Sequence, residues 1–154
     1  MDMKLAEALI IRADIQKRIE QLKYRIMRSA KVQEGEEPPE DPEELLSELY
    51  RLYDELTRII KSINRTNSSV ELGSGKTLGD ALAERDRIID KRNALQSVIE
   101  AAAITPERYS KSEIKYISTV NIKELQKNID QLSKEIRELD SKIQEKNWTV
   151  DLIE

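Results

Sequence analysis

Apolar positions along the chain fall into four stretches that keep the three-four spacing of a helix with one buried face. Leu5, Ala8, Leu9, Ile15, Ile19, Leu22 and Ile26 form the first stripe and predict a helix from about Leu5 to Ser29, with Arg12 falling inside the stripe. Leu45, Leu49, Leu52, Leu56, Ile59 and Ile63 form the second, and predict a helix that ends near Ile63. Between them the acidic stretch Glu34 to Pro42 carries Pro38, Pro39 and Pro42, which disfavour helix. Asp41 is placed to cap the second helix, with Pro42 at its first position and Glu44 at its third. Gly73-Ser74-Gly75 then supplies a turn, and Thr77 with Asp80 makes a variant capping box. A third helix is predicted from Leu78 to about Ala103 and a fourth from about Ile122 to Gln144.

The pattern is written twice. Leu5, Ala8, Leu9, Arg12, Ile15, Leu22 and Ile26 return 73 residues later as Leu78, Ala81, Leu82, Arg85, Ile88, Leu95 and Ile99. Glu44, Leu45, Leu52, Glu55 and Ile63 return 80 residues later as Glu124, Leu125, Leu132, Glu135 and Ile143. Any two amphipathic helices share apolar spacing, but the echo of Asn67-Ser68-Ser69-Val70-Glu71-Leu72 in Asn147-Trp148-Thr149-Val150-Asp151-Leu152 is harder to obtain that way. The pattern predicts an all-α chain and a single domain over residues 1–154. Its architecture is an antiparallel four-helix bundle of two tandem hairpins, residues 4–72 and 77–152, with pseudo-twofold symmetry and coiled-coil-like seams. The seven extra residues of the second connection lie around Thr105-Pro106-Glu107 and predict a short extra helix through Ile114. The ends Val70–Leu72 and Val150–Leu152 are expected to be extended and to cross one end of the bundle.

Composition narrows the chemistry. The chain has no Cys and no His, which removes disulfides, thiolate and imidazole catalysis, and the commonest zinc and haem ligands. No metal, no cofactor and no catalytic residue is expected. The start lacks a basic stretch followed by a long apolar core, and no apolar run reaches the roughly 18 residues of a spanning helix, so a cytoplasmic protein is expected. The net charge of −4 is concentrated in the acidic run between 34 and 44, and no basic run elsewhere points to nucleic acid.

Arg12 and Arg85 stand at matched points near the seam, where a guanidinium needs an acidic partner. In an antiparallel hairpin Arg12 falls level with residues near Ile59 and Arg85 with residues near Leu139, which makes Glu55 and Glu135 the expected partners. The bland reading is an ion pair that fixes helix register; the sharper one is a paired-arginine pocket for a small anion. Asn64, Asn67 and Asn147 fit a glycosylation pattern, but Asn at a helix end more often caps the chain or enters the left-handed region. Gly73-Ser74-Gly75-Lys76-Thr77 resembles part of a phosphate loop, yet Val70 stands where the motif requires Gly. Paired Glu55 and Glu135 without His do not make a di-iron site.

Helix two carries a second apolar stripe, Leu46, Tyr50, Tyr53, Thr57 and Ile60, whose counterparts on helix four are Gln126, Asp130, Ser133, Arg137 and Asp140. Something must cover it: either the segment with Tyr109, Ile114, Tyr116 and Ile117, or a second copy of the protein. Tyr and Leu anchor interfaces well, which favours a homo-oligomer.

Several strings carry a family resemblance: Lys4-Leu5-Ala6-Glu7-Ala8-Leu9 with Arg12-Ala13-Asp14, Ile63-Asn64-Arg65-Thr66-Asn67, and Thr77-Leu78-Gly79-Asp80-Ala81-Leu82. Arg108-Tyr109-Ser110-Lys111-Ser112-Glu113-Ile114 and Arg137-Glu138-Leu139-Asp140 with Asn147-Trp148 complete them. Together they resemble a family of small bacterial helical proteins, some labelled septicolysin. The label implies a cytolysin, and the resemblance supplies no catalytic residues. The leading expectation is therefore a non-enzymatic interaction module that self-associates. The alternatives are a membrane-active cytolysin and a binder of a small anion at Arg12 and Arg85.

Overall fold

The computed structural model describes residues 2–104 and 114–154. Four helices dominate it: α1 (Leu5–Ser29), α2 (Pro42–Ser69), α3 (Leu78–Ala102) and α4 (Ile122–Thr149). A two-stranded sheet, β1 (Glu71–Gly73) and β2 (Lys76–Thr77), lies between α2 and α3. The all-α class is as the spacing predicts. The short helix expected around Thr105 falls outside the described residues. The chain divides into two compact units, Met1–Gly79 with Gln144–Glu154, and Asp80–Ile143.

In the first unit α1 and α2 pack as an antiparallel pair along the predicted stripes. Ile15, Ile19 and Leu22 meet Leu45 and Leu52, with Ile26, Leu49, Leu56 and Ile59 around them. Full burial of each such side chain contributes roughly 1.5–3 kcal/mol relative to exposure. The start of α2 is fixed as expected: the Asp41 carboxylate accepts a bond from the Glu43 N–H at 3.0 Å, with Pro42 at the first helical position. Just before it, the Arg25 guanidinium of α1 grips the Glu40 carboxylate through two hydrogen bonds, the Nε–Oε2 one at 3.0 Å. That grip ties the end of the acidic linker to α1. It also holds the Glu40 carboxyl below the usual carboxylate range.

Two helices outrun their predicted ends. α2 continues past Ile63 to Ser69, and α4 past Gln144 to Thr149. The hydroxyl residues there do not break the helix but bond back to the carbonyl one turn earlier: Thr66 to Ser62 at 2.8 Å, Ser68 to Asn64, and Thr149 to Glu145 at 2.9 Å. Asn67–Ser69 and Asn147–Thr149, the first halves of the two echoed strings, are therefore final helical turns.

The chain then becomes extended, and it does so in two comparable places. Val70 N–H closes α2 on the Thr66 carbonyl at 2.9 Å, and the Val70 carbonyl accepts from Leu78 N–H at 2.8 Å. Val150 N–H likewise closes α4 on Lys146 at 3.0 Å, and its carbonyl accepts from Leu5 N–H at 3.0 Å. Glu71 pairs antiparallel with Thr77, and Asp151 with Lys4. The first pairing turns through Gly73, Ser74 and Gly75, all at positive φ, a conformation that glycine adopts without steric cost. The second joins distant parts of the chain and is reinforced by a Lys4 Nζ–Asp151 Oδ1 ion pair of 2.7 Å and by Leu152 N–H bonding to the Met3 carbonyl at 2.7 Å. Thr66, fully buried, accepts the Ile153 N–H on its hydroxyl at 2.9 Å.

In the second unit Ala81, Ile129, Leu132 and Ile143 are buried. The Asn121 side chain caps α4, accepting from Glu124 N–H at 3.1 Å, at the place matched to Asp41. On α3 the seam residues Ile88 and Leu95 are only half-buried.

Candidate functional site

Arg85 reaches across from α3 to α4, where its Nη1 binds Asp140 Oδ1 at 2.8 Å, and its Nη2 lies 3.5 Å from Asp86 Oδ1 on its own helix. Its side chain is 24% exposed, and its Nε is buried without a hydrogen-bond partner. The register near Leu139 is as the sequence suggests, but the partner is Asp140 and not Glu135. Glu135 is exposed and takes a bond from Gln131, one turn away on the same face of α4. Arg12 differs. It is half-buried and, among the described residues, has no ion pair; Glu55 is exposed and does not reach it. The reason is visible in the repeat: the position matched to Asp140 is Ile60, so the first hairpin has no acid at that height.

Among the described residues, the side chains of Asn67 and Asn147 cap no helix end. Asn67 is half-buried inside the last turns of α2, where its backbone carbonyl would lie 3.3 Å from a Cβ placed on Gly79. Glycine there lets the start of α3 approach the end of α2. Asn147 is buried in the last turn of α4, its Nδ2 3.5 Å from Gln144 Oε1.

Exposure along the second stripe of α2 is uneven. Leu46 and Ile60 are half-buried, whereas Tyr50 is 63% and Tyr53 45% exposed. Thr57, also exposed, donates its hydroxyl to the Tyr53 carbonyl at 2.9 Å. On α4 the matched Gln126 and Asp130 satisfy each other at 3.0 Å along their own helix.

A cavity of about 490 Å³ opens between α1 and α2 beside the C-terminal extended segment. Its floor is apolar: Ile11, Ile15 and Ile59 from the helices, with Met3 and Leu152 from the paired extended segments. Its rim carries Arg58, Lys61 and Arg65, all exposed and, among the described residues, without ion pairs. Glu55 and Glu154 also line it. Of the expected ligand-binding residues, the cavity therefore contains Glu55 and omits Arg12. Sequence reasoning passed over the three cations, although their three-four spacing places them on one side of a helix. Only the structure adds the apolar floor, because Met3 and Leu152 come from opposite ends of the sequence.

Comparison with known proteins places the fold without assigning a role. A crystal structure of a functionally unknown conserved protein from Corynebacterium diphtheriae is similar over 99% of each chain, with 41% identity and a TM-score of 0.92. No curated protein matches the sequence. Among the described residues no helix is long and apolar enough to cross a membrane. The family of unknown function DUF6847 matches residues 12–152, and the chain belongs to it.

Proposed function

We propose that this protein is a non-enzymatic helical module that assembles with further copies of itself through the outer flank of α2. The observation that carries this reading is the exposure of Tyr50 and Tyr53 beside half-buried Leu46 and Ile60, on a helix whose repeat counterpart is polar along the same line. Tyrosine brings large area with few rotatable bonds to an interface and is enriched among the residues that dominate binding. A second copy can cover both rings by presenting the same flank around a twofold axis.

The same proposal takes the chain as a duplicated hairpin folded into an antiparallel four-helix bundle with a pseudo-twofold axis. Helices of 25, 28, 25 and 28 residues support it, as do the matched Leu5–Val150 and Leu78–Val70 hydrogen bonds.

Light scattering at micromolar concentration tests the assembly. The wild type should be a dimer or larger, and the double variant Y50E/Y53E should be monomeric with unchanged helix content. Loss of one such anchor costs about 2 kcal/mol, roughly thirtyfold in Kd. A wild type that stays monomeric removes the reading. Dye release from liposomes addresses the cytolysin that the septicolysin resemblance implies: an interaction module leaves the vesicles intact.

A further inference from the structure

We propose that the cavity between α1 and α2 binds an amphiphilic monoanion, a carboxylate head on an unbranched aliphatic tail, as in a medium-chain fatty acid. Its volume of about 490 Å³ lies within the range of small-molecule sites, roughly 300–1,000 Å³. The floor of Ile11, Ile15, Ile59 and Leu152 offers a tail only apolar contact. Ile15 belongs to the buried core, so that floor is anchored. The Leu152–Met3 hydrogen bond fixes the far wall.

The rim supplies the head. Arg58, Lys61 and Arg65 line the cavity from one face of α2, and a guanidinium fork matches a carboxylate with two parallel hydrogen bonds. Glu55 and Glu154 offset two of the three positive charges.

The repeat gives an independent reason to regard this face as specialised. At the places matched to Arg58, Lys61 and Arg65 the second hairpin has Glu138, Ser141 and Glu145. A helix that needed only solvation at those positions is served by either sign of charge, so cations gathered over an apolar floor mark the first hairpin alone. The assembly flank uses other positions of α2, and the two proposals stand or fall separately.

The test is titration of the full chain with decanoate, followed by calorimetry and by methyl resonances. Saturable one-to-one binding is expected, with shifts confined to Met3, Ile11, Ile15, Ile59 and Leu152. Decanol, which lacks the charge, and acetate, which lacks the tail, should each bind about tenfold more weakly or worse. R58E/R65E, which installs the acids of the second hairpin at exposed positions, should lose binding to a similar extent. R58Q/R65Q replaces it if the charge reversal lowers helix content. No saturable binding, shifts elsewhere, decanol or acetate equal to decanoate, or an unchanged affinity in the folded arginine variant would each overturn the proposal.

Discussion

Where the extended segments pair, the two hairpins bury the same positions: Leu5 and Leu78, Ala8 and Ala81, Ile63 and Ile143 are all at most 1% exposed. Along the shafts they part. α1 goes on to bury Ile15, Ile19 and Leu22, whereas the matched Ile88, Arg92 and Leu95 of α3 are half-buried, and no described residue of α3 beyond Ala81 is buried. Shared spacing gives both segments the same helix, but Arg92 in the place of Ile19 removes an apolar side chain from the middle of one seam. Periodicity sets which face turns inward; side-chain identity sets how completely that face is sealed. The charged pairs show the same divergence. Arg85 has Asp140, and Arg12 has Ile60 at the matched height.

The largest effect should come from the seams. Leu22→Ala removes a side chain 2% exposed and should cost about 3 kcal/mol in chemical denaturation. Leu95→Ala, half-buried, should cost about half of that. Equal losses would show that the two shafts are sealed alike and would break the comparison. Hydrogen exchange offers a second view, with amides in the middle of α3 exchanging sooner than those in the middle of α1.

A smaller contrast separates the arginines. Arg85→Leu breaks an ion pair whose two side chains are 24% and 42% exposed, so solvent screens it and the loss should be about 1 kcal/mol. Arg12→Leu breaks no pair and should stay within about 0.5 kcal/mol of the wild type. A double-mutant cycle on Arg85 and Asp140 sharpens the point, since coupling should vanish when either partner is already absent.

The smallest effect is a pH dependence confined to the first hairpin. The hydrogen bonds of Arg25 hold Glu40 below its ordinary pKa of 4.5. Its contribution is therefore present above that value and is lost as pH falls through the lowered folded value. Melting temperature followed on acidification should fall less steeply in Glu40→Gln than in the wild type. Parallel curves would mean that the linker is held by something else. At the other end of the scale, Lys4 is raised above 10.5 by Asp151, so its contribution is present below that pH and fades only above it.

The seams, the Asp41 cap and the start of every helix were legible because each depends on neighbours within one turn. Helix ends were less so. Thr66, Ser68 and Thr149 carry hydroxyls that cap helices as readily as they back-bond inside them, and local sequence does not choose between these. The exposed Tyr50 and Tyr53 were found by comparing one repeat with the other. The Arg85 partner was missed by a little more than one turn, because register to within a turn leaves several acids within reach, among them Glu135, Glu138 and Asp140.

By itself the amino-acid sequence determined the helices, the faces they bury and the internal echo, since all three follow from spacing that every local segment carries. Tertiary structure alone decided that Asp151 comes back to Lys4, that Ile153 hydrogen-bonds to Thr66, and that Met3 and Leu152 wall a cavity rimmed by Arg58, Lys61 and Arg65. Those contacts join residues that are distant in the chain. No short window encodes them, and they arise only when burial of the apolar stripes brings the ends together.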